Sequence, residues 1–116
     1  MKPAPAGEAA RELLDRIRAW LPAEHTREVR MFGAVAVMVH DAMAVAVHKD
    51  GSLLVRVDPA KDSRLLEEPH ASRAEMGAGR SMGEGWIRVD AKALSSDAAL
   101  AQWLGCAVRY LSQRER

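Results

Sequence analysis

The residues able to carry chemistry in this chain are few, and their spacing limits what each can do. Four histidines, His25, His40, His48 and His70, show no i, i+2 or i, i+4 pairing and have no cysteine beside them. Ligands drawn from one element normally recur at such spacings, so no metal centre is expected. Cys106 lies beside an apolar stripe, between Trp103 and Val108, with no neighbouring base, which predicts a small buried or half-buried residue, not a nucleophile. The serines are read as offering no hydrolase-type nucleophile. The run Gly77-Ala-Gly-Arg-Ser-Met-Gly-Glu-Gly85 invites a phosphate-binding reading. It lacks the Gly-Lys-Ser/Thr ending of a phosphate loop and is followed by a strand pattern, so a hairpin connection is expected. Arg80 in that loop, and Arg30 and Arg56 elsewhere, are candidate contacts for an anion. No catalytic residue, cofactor or metal is assigned, and the chain is read as non-enzymatic.

Composition narrows the partners. The chain has 116 residues, with 17 Lys+Arg against 16 Asp+Glu and a net charge of +1. It therefore presents no global field for nucleic acid or an anionic membrane. Its 48% hydrophobic content excludes disorder and suits one compact domain. A single cysteine excludes an internal disulfide and fits a cytoplasmic setting. The longest apolar run, Met31 to Val39, is far short of the ~20 residues that a membrane-spanning helix needs.

The elements that would hold these residues follow from periodicity. Residues 1–7, with Pro3, Pro5 and Gly7, read as a disordered tail, residues 8–113 as one domain, and residues 114–116 as a second short tail. Ala10, Leu13, Leu14, Ile17, Trp20 and Leu21 recur at helical spacing until Pro22 ends the helix. Three Val-rich strands are predicted at Phe32 to His40, Met43 to Lys49 and Ser52 to Val57, joined by turns at Asp41-Ala42 and Asp50-Gly51. With those turns, Val35, Val37, Val39, Ala44, Ala46, Leu53, Val55 and Val57 share the core face. Ala34, Ala36, Met38, Val45, Val47, Lys49, Leu54 and Arg56 share the other. Too few helices remain to cover the second face. Met38, Val45, Val47 and Leu54, with Arg56 at the rim, are therefore the expected interaction residues of a homodimer. Pro59 to Glu68 reads as a connector with a helical turn or two, and Arg73 to Met76 and Trp86 to Val89 as a second hairpin. Leu100, Trp103, Leu104, Ala107, Val108 and Leu111 then mark a long helix capped by Ser96.

The segments Arg30-Met-Phe-Gly33, Asp50-Gly-Ser-Leu-Leu-Val-Arg-Val-Asp-Pro59, Leu65-Leu-Glu-Glu-Pro69, Glu75-Met76, Gly79-Arg-Ser-Met82 and Gly85-Trp-Ile-Arg-Val-Asp90 occur in one order ahead of the Trp103 helix. Together they resemble the TfoX N-terminal domain family over roughly residues 10 to 113. Ala34 and the Asp41-Ala42 turn depart from the family's usual glycines. The resemblance implies a two-layer α+β fold: helix, three-stranded meander, helix, two strands, helix. It also implies kinship with TfoX/Sxy regulators of competence genes. The chain is expected to be a standalone single-domain member, without the further C-terminal domain of the longer regulators. The resulting expectation is a regulator-like homodimer with a possible protein partner in transcription and no membrane association. The alternative is a small-anion binder or enzyme using Arg30, Arg56 and Arg80, and direct DNA contact is a third option.

Overall fold

The structure is a computed structural model that describes residues 7–31, 33–76 and 79–114. The chain runs α1 (Gly7–Trp20), β1 (Thr26–Met31), β2 (Ala34–Val39), β3 (Ala42–Val47), β4 (Leu53–Arg56), α2 (Asp62–Leu65), β5 (Ala71–Arg73), β6 (Trp86–Val89) and α3 (Asp97–Arg114). All six strands form one antiparallel sheet in the order β1-β2-β3-β4-β6-β5. The two long helices cover one face, giving a two-layer α+β architecture. The predicted 1–7 tail falls almost entirely outside the described residues, as do Phe32 at the head of the first predicted strand, Gly77 of the glycine loop, and residues 115–116.

Helix α1 buries Leu13, Leu14 and Ile17, with Leu21 just past its end, whereas Trp20 of the expected stripe is 44% exposed; α3 buries Leu100, Trp103, Leu104, Ala107 and Leu111. Both pack on Val45, Val47, Leu53 and Val55 of the sheet. Ser96 caps α3 as expected, its hydroxyl accepting the Ala99 N–H at 3.1 Å.

Strand β1 has no counterpart in the periodicity. Thr26, Arg27, Glu28, Val29, Arg30 and Met31 carry three charges among six residues, a pattern that reads as solvated loop. The segment forms an edge strand, where charged side chains face water and block further pairing.

The faces of β3 are the main correction. The first turn sits at His40-Asp41, both with positive φ (50° and 68°), which places the pair required by a type I′ turn one residue earlier than Asp41-Ala42. A register shift between Val37 and Met38 then leaves Ala44 without a partner and sets Val45 opposite Val37. The second connection is a three-residue loop closed by His48 and Ser52, with Gly51 at φ 85°, and it sets Val47 opposite Leu53. Each one-residue slip turns β3 over relative to a neighbour. Val45 and Val47 therefore lie in the core at 0% and 1% exposure, and Ala46 faces outward. Val45 and Val47 join Ala44 in the core and only Ala46 leaves it, so more apolar surface is buried than in the arrangement expected from the turns alone.

Candidate interaction surface

The sheet face away from the helices carries a second cluster. Ala36, Ala46, Leu54 and Ala74 form its buried floor, with Met38, Met43, Met82 and Trp86 partly buried around them. The register explains the arrangement. Ala36, Ala46, Leu54 and Arg88 make one row across β2, β3, β4 and β6, and Met38 opposite Met43 makes the next. Of the predicted interaction residues, Met38, Leu54 and Arg56 belong to this part of the sheet. Val45 and Val47 do not, because the bulge and the three-residue loop carry them to the helix side.

Part of this face is covered by the chain that joins β5 to β6. The Met82 N–H donates to the Ala74 carbonyl at 2.9 Å, and Glu75 bridges Ser81. That hairpin is fixed from below by Asp62, which is 1% exposed at the start of α2. Arg73 donates Nη1 to Asp62 Oδ1 at 2.9 Å and Nη2 to Oδ2, and Nη1 also reaches the carbonyls of Gly83 and Trp86. The Gly85 N–H donates to Asp62 Oδ1 at 2.7 Å. The Arg73 guanidinium, with help from the Gly85 amide, holds the Asp62 carboxyl below its ordinary range. A side chain at Gly85, where φ is 95°, would approach the Val57 carbonyl and the Pro59 ring to within 3.2 and 3.3 Å. Glycine thus lets the hairpin close against β4.

Trp86 is positioned by this network and packs on Arg56. The Arg56 guanidinium carbon lies 4.6 Å from the centre of the Trp86 ring and 5.2 Å from that of Tyr110, and Nη2 meets the Tyr110 hydroxyl at 3.4 Å. Arg56 Nε is buried without a partner. The guanidinium is thus sandwiched between rings, which holds a cation at the margin of the apolar face. Beside it, a cleft of about 550 Å3 is lined by His48, Leu54, Ser72, Arg73, Ala74, Glu75 and Arg88. Burial pushes the His48 imidazole below its ordinary value, favouring the neutral ring. Arg88 closes one side through Asp50 at 2.9 Å.

The three arginines of the anion reading do not meet. Arg30 lies on edge strand β1, Arg56 three strands away on β4, and Arg80 in the connection beyond β5, and neither of two clefts among the described residues brings them together. Arg30 instead lines a separate cleft against α1. The histidines remain dispersed except that His25 and His40 stack with ring centres 4.4 Å apart. Among the described residues no group of three or more His, Cys, Asp or Glu is placed to hold a metal ion. Cys106 is half-buried, and desolvation pushes its thiol pKa up, away from thiolate chemistry.

Gly79-Arg80-Ser81-Met82-Gly83 does have Gly-x-Ser-x-Gly spacing. A nucleophile elbow requires a strand-to-helix turn, whereas this stretch joins two strands, and the Ser81 hydroxyl accepts the Gly83 N–H at 3.0 Å. Met43, Met82, Trp86 and Tyr110 were not singled out from the sequence. Alternation within Trp86–Val89 places Trp86 and Arg88 on one face, but only the β4–β6 pairing shows that this face is shared with Leu54 and Arg56.

A scan of protein families matches residues 20–110 to the TfoX N-terminal domain. The match covers most of the chain, which therefore belongs to the TfoX N-terminal domain family. Neither a search of curated proteins nor one of solved structures gave a match. No helix among the described residues is long and apolar enough to cross a membrane.

Proposed function

We propose that the chain is a non-enzymatic, competence-related regulatory module that works by association, forming a homodimer through the outer sheet face. The observation that carries this reading is the face itself: Met38, Met43, Met82 and Trp86 stand half-buried around an alanine floor, with no helix over them. Methionine and tryptophan are favoured at association surfaces, because the first adapts its shape and the second brings a large rigid area. The clustered residues of the patch are all apolar, and a net charge of +1 adds little repulsion between two copies. Arg56, held by its two rings, supplies a polar rim at low entropic cost. Membership of the family supports the regulatory role, exercised in the cytoplasm with a protein partner in transcription.

Met38→Glu places a charge in the patch without touching the helix-side core, and it should convert the dimer to a folded monomer. An unmodified protein that is already monomeric at tens of micromolar would reject the homodimer. A duplex-DNA complex whose affinity falls steeply with salt would favour direct DNA contact instead.

A further inference from the structure

Between α1 and the end of the sheet formed by β1, β2 and β3 lies another cleft, of about 810 Å3. The register builds it. Arg30, Val35 and Val47 are partners in one row across those strands and so share the helix-side face, and Lys49 follows Val47 by two residues. Leu14 of α1 closes the floor with Val35 and Val47, and Arg11 stands above it. At Gly33 a Cβ would come 3.1 Å from Lys49 Cε, so glycine lets the lysine stem lie across the β1–β2 turn.

The charges here are unbalanced in a specific way. Asp15, the acidic residue of the lining, is taken by Arg18 at 2.8 Å, and Arg18 also donates Nε and Nη2 to Glu28 at 2.6 Å. These bonds hold the Glu28 carboxyl below its ordinary range. Arg18 thus serves both carboxylates at once, which leaves one negative charge against Arg11, Arg30 and Lys49. Arg11, Arg30 and Lys49 make no ion pair among the described residues. Arg30 faces Glu28 at longer range, yet cations still outnumber carboxylates at the rim, and an apolar floor beneath such a rim is complementary to an apolar body with an anionic head.

We infer that this cleft binds an amphipathic carboxylate, its alkyl chain over Leu14, Val35 and Val47 and its head between Arg30 and Lys49. The forked guanidinium of Arg30 matches a carboxylate with two parallel hydrogen bonds, and Lys49 adds a point charge. The site lies on the opposite side of the sheet from the proposed dimer surface, so the two readings stand or fall separately.

The test is titration of the full chain with dodecanoate, kept below its micellar concentration, by calorimetry and methyl NMR. One-to-one binding is expected, with shifts at the Leu14, Val35 and Val47 methyls and none at Met38 or Met82. Arg30→Gln and Lys49→Gln, both at exposed positions, should each weaken binding about tenfold while leaving circular dichroism unchanged. Dodecanol, which lacks the charge, should bind at least about tenfold more weakly than dodecanoate. Inorganic phosphate at equal concentration should not displace dodecanoate. The inference is overturned if dodecanoate does not bind, if the shifts fall on the methionines, if dodecanol binds equally well, if phosphate displaces it, or if neither substitution weakens binding.

Discussion

Arg73 and Asp62 meet through both nitrogens and both oxygens at a point where α2, β5 and the start of β6 converge, with Asp62 buried and Arg73 about a quarter exposed. The pair fixes the hairpin that delivers Trp86 and Met82 to the outer face. Asp62→Ala leaves the Arg73 charge without its carboxylate and the Gly85 amide without its acceptor, and should cost about 3 kcal/mol, read as a lower urea midpoint at unchanged m. The folded Asp62 carboxyl titrates below its unfolded value of 3.8. The stability it contributes is therefore complete above about pH 4 and is lost as pH falls through the depressed folded value. Asp62→Ala should remove that part of the acid sensitivity, which urea unfolding repeated across the acid range would reveal.

His48 acts at higher pH. Its folded imidazole titrates below the unfolded value of 6.5, so on acidification the unfolded chain takes up the proton first. Stability should decline as pH falls from about 6.5 toward the folded value, and His48→Gln should flatten the profile in that window. An unchanged slope in the variant would mean that this imidazole is not desolvated.

The position of the first turn predicts opposite effects at adjacent residues. Asp41→Gly relieves a positive φ and should stabilise by about 0.5 kcal/mol, while Ala42→Gly loosens the first residue of β3 and should destabilise by a similar amount. The reverse order in thermal melts would restore the Asp41-Ala42 turn.

The core assignment is tested on both layers. Trp103, 6% exposed on α3, should cost about 3 to 5 kcal/mol when replaced by alanine. Val47→Glu should destabilise the fold strongly, because it replaces an apolar side chain that is 1% exposed in the helix-side core with a carboxylate. A Val47→Glu protein as stable as the unmodified chain would return Val47 to the outer face.

Both long helices, their buried stripes apart from the exposed Trp20, and the Ser96 cap were legible in the sequence, because each rests on local periodicity or a local hydrogen bond. The α+β class followed from them and from the Val-rich strands. Strand β1 was hidden because Arg27, Glu28 and Arg30 obey edge-strand rules, where burial leaves no alternating signature. The Val45 and Val47 facing was lost through two single-residue events, the unpaired Ala44 and the three-residue loop, which composition does not encode. The proposed interaction surface was half legible for the same reason: Met38, Leu54 and Arg56 sit on strands whose faces were read correctly. Met82 and Trp86 reach it through the Asp62–Arg73 pair, a contact between distant parts of the chain that no local pattern reveals.

Sedimentation equilibrium of the unmodified chain and of Met38→Glu, at tens of micromolar, tests the association surface most directly. The unmodified chain should have twice the 12.7 kDa mass of a single copy, and Met38→Glu should have the single-copy mass with native circular dichroism. A single-copy mass for the unmodified chain, or an unaltered dimer in Met38→Glu, would contradict the role given to the outer face.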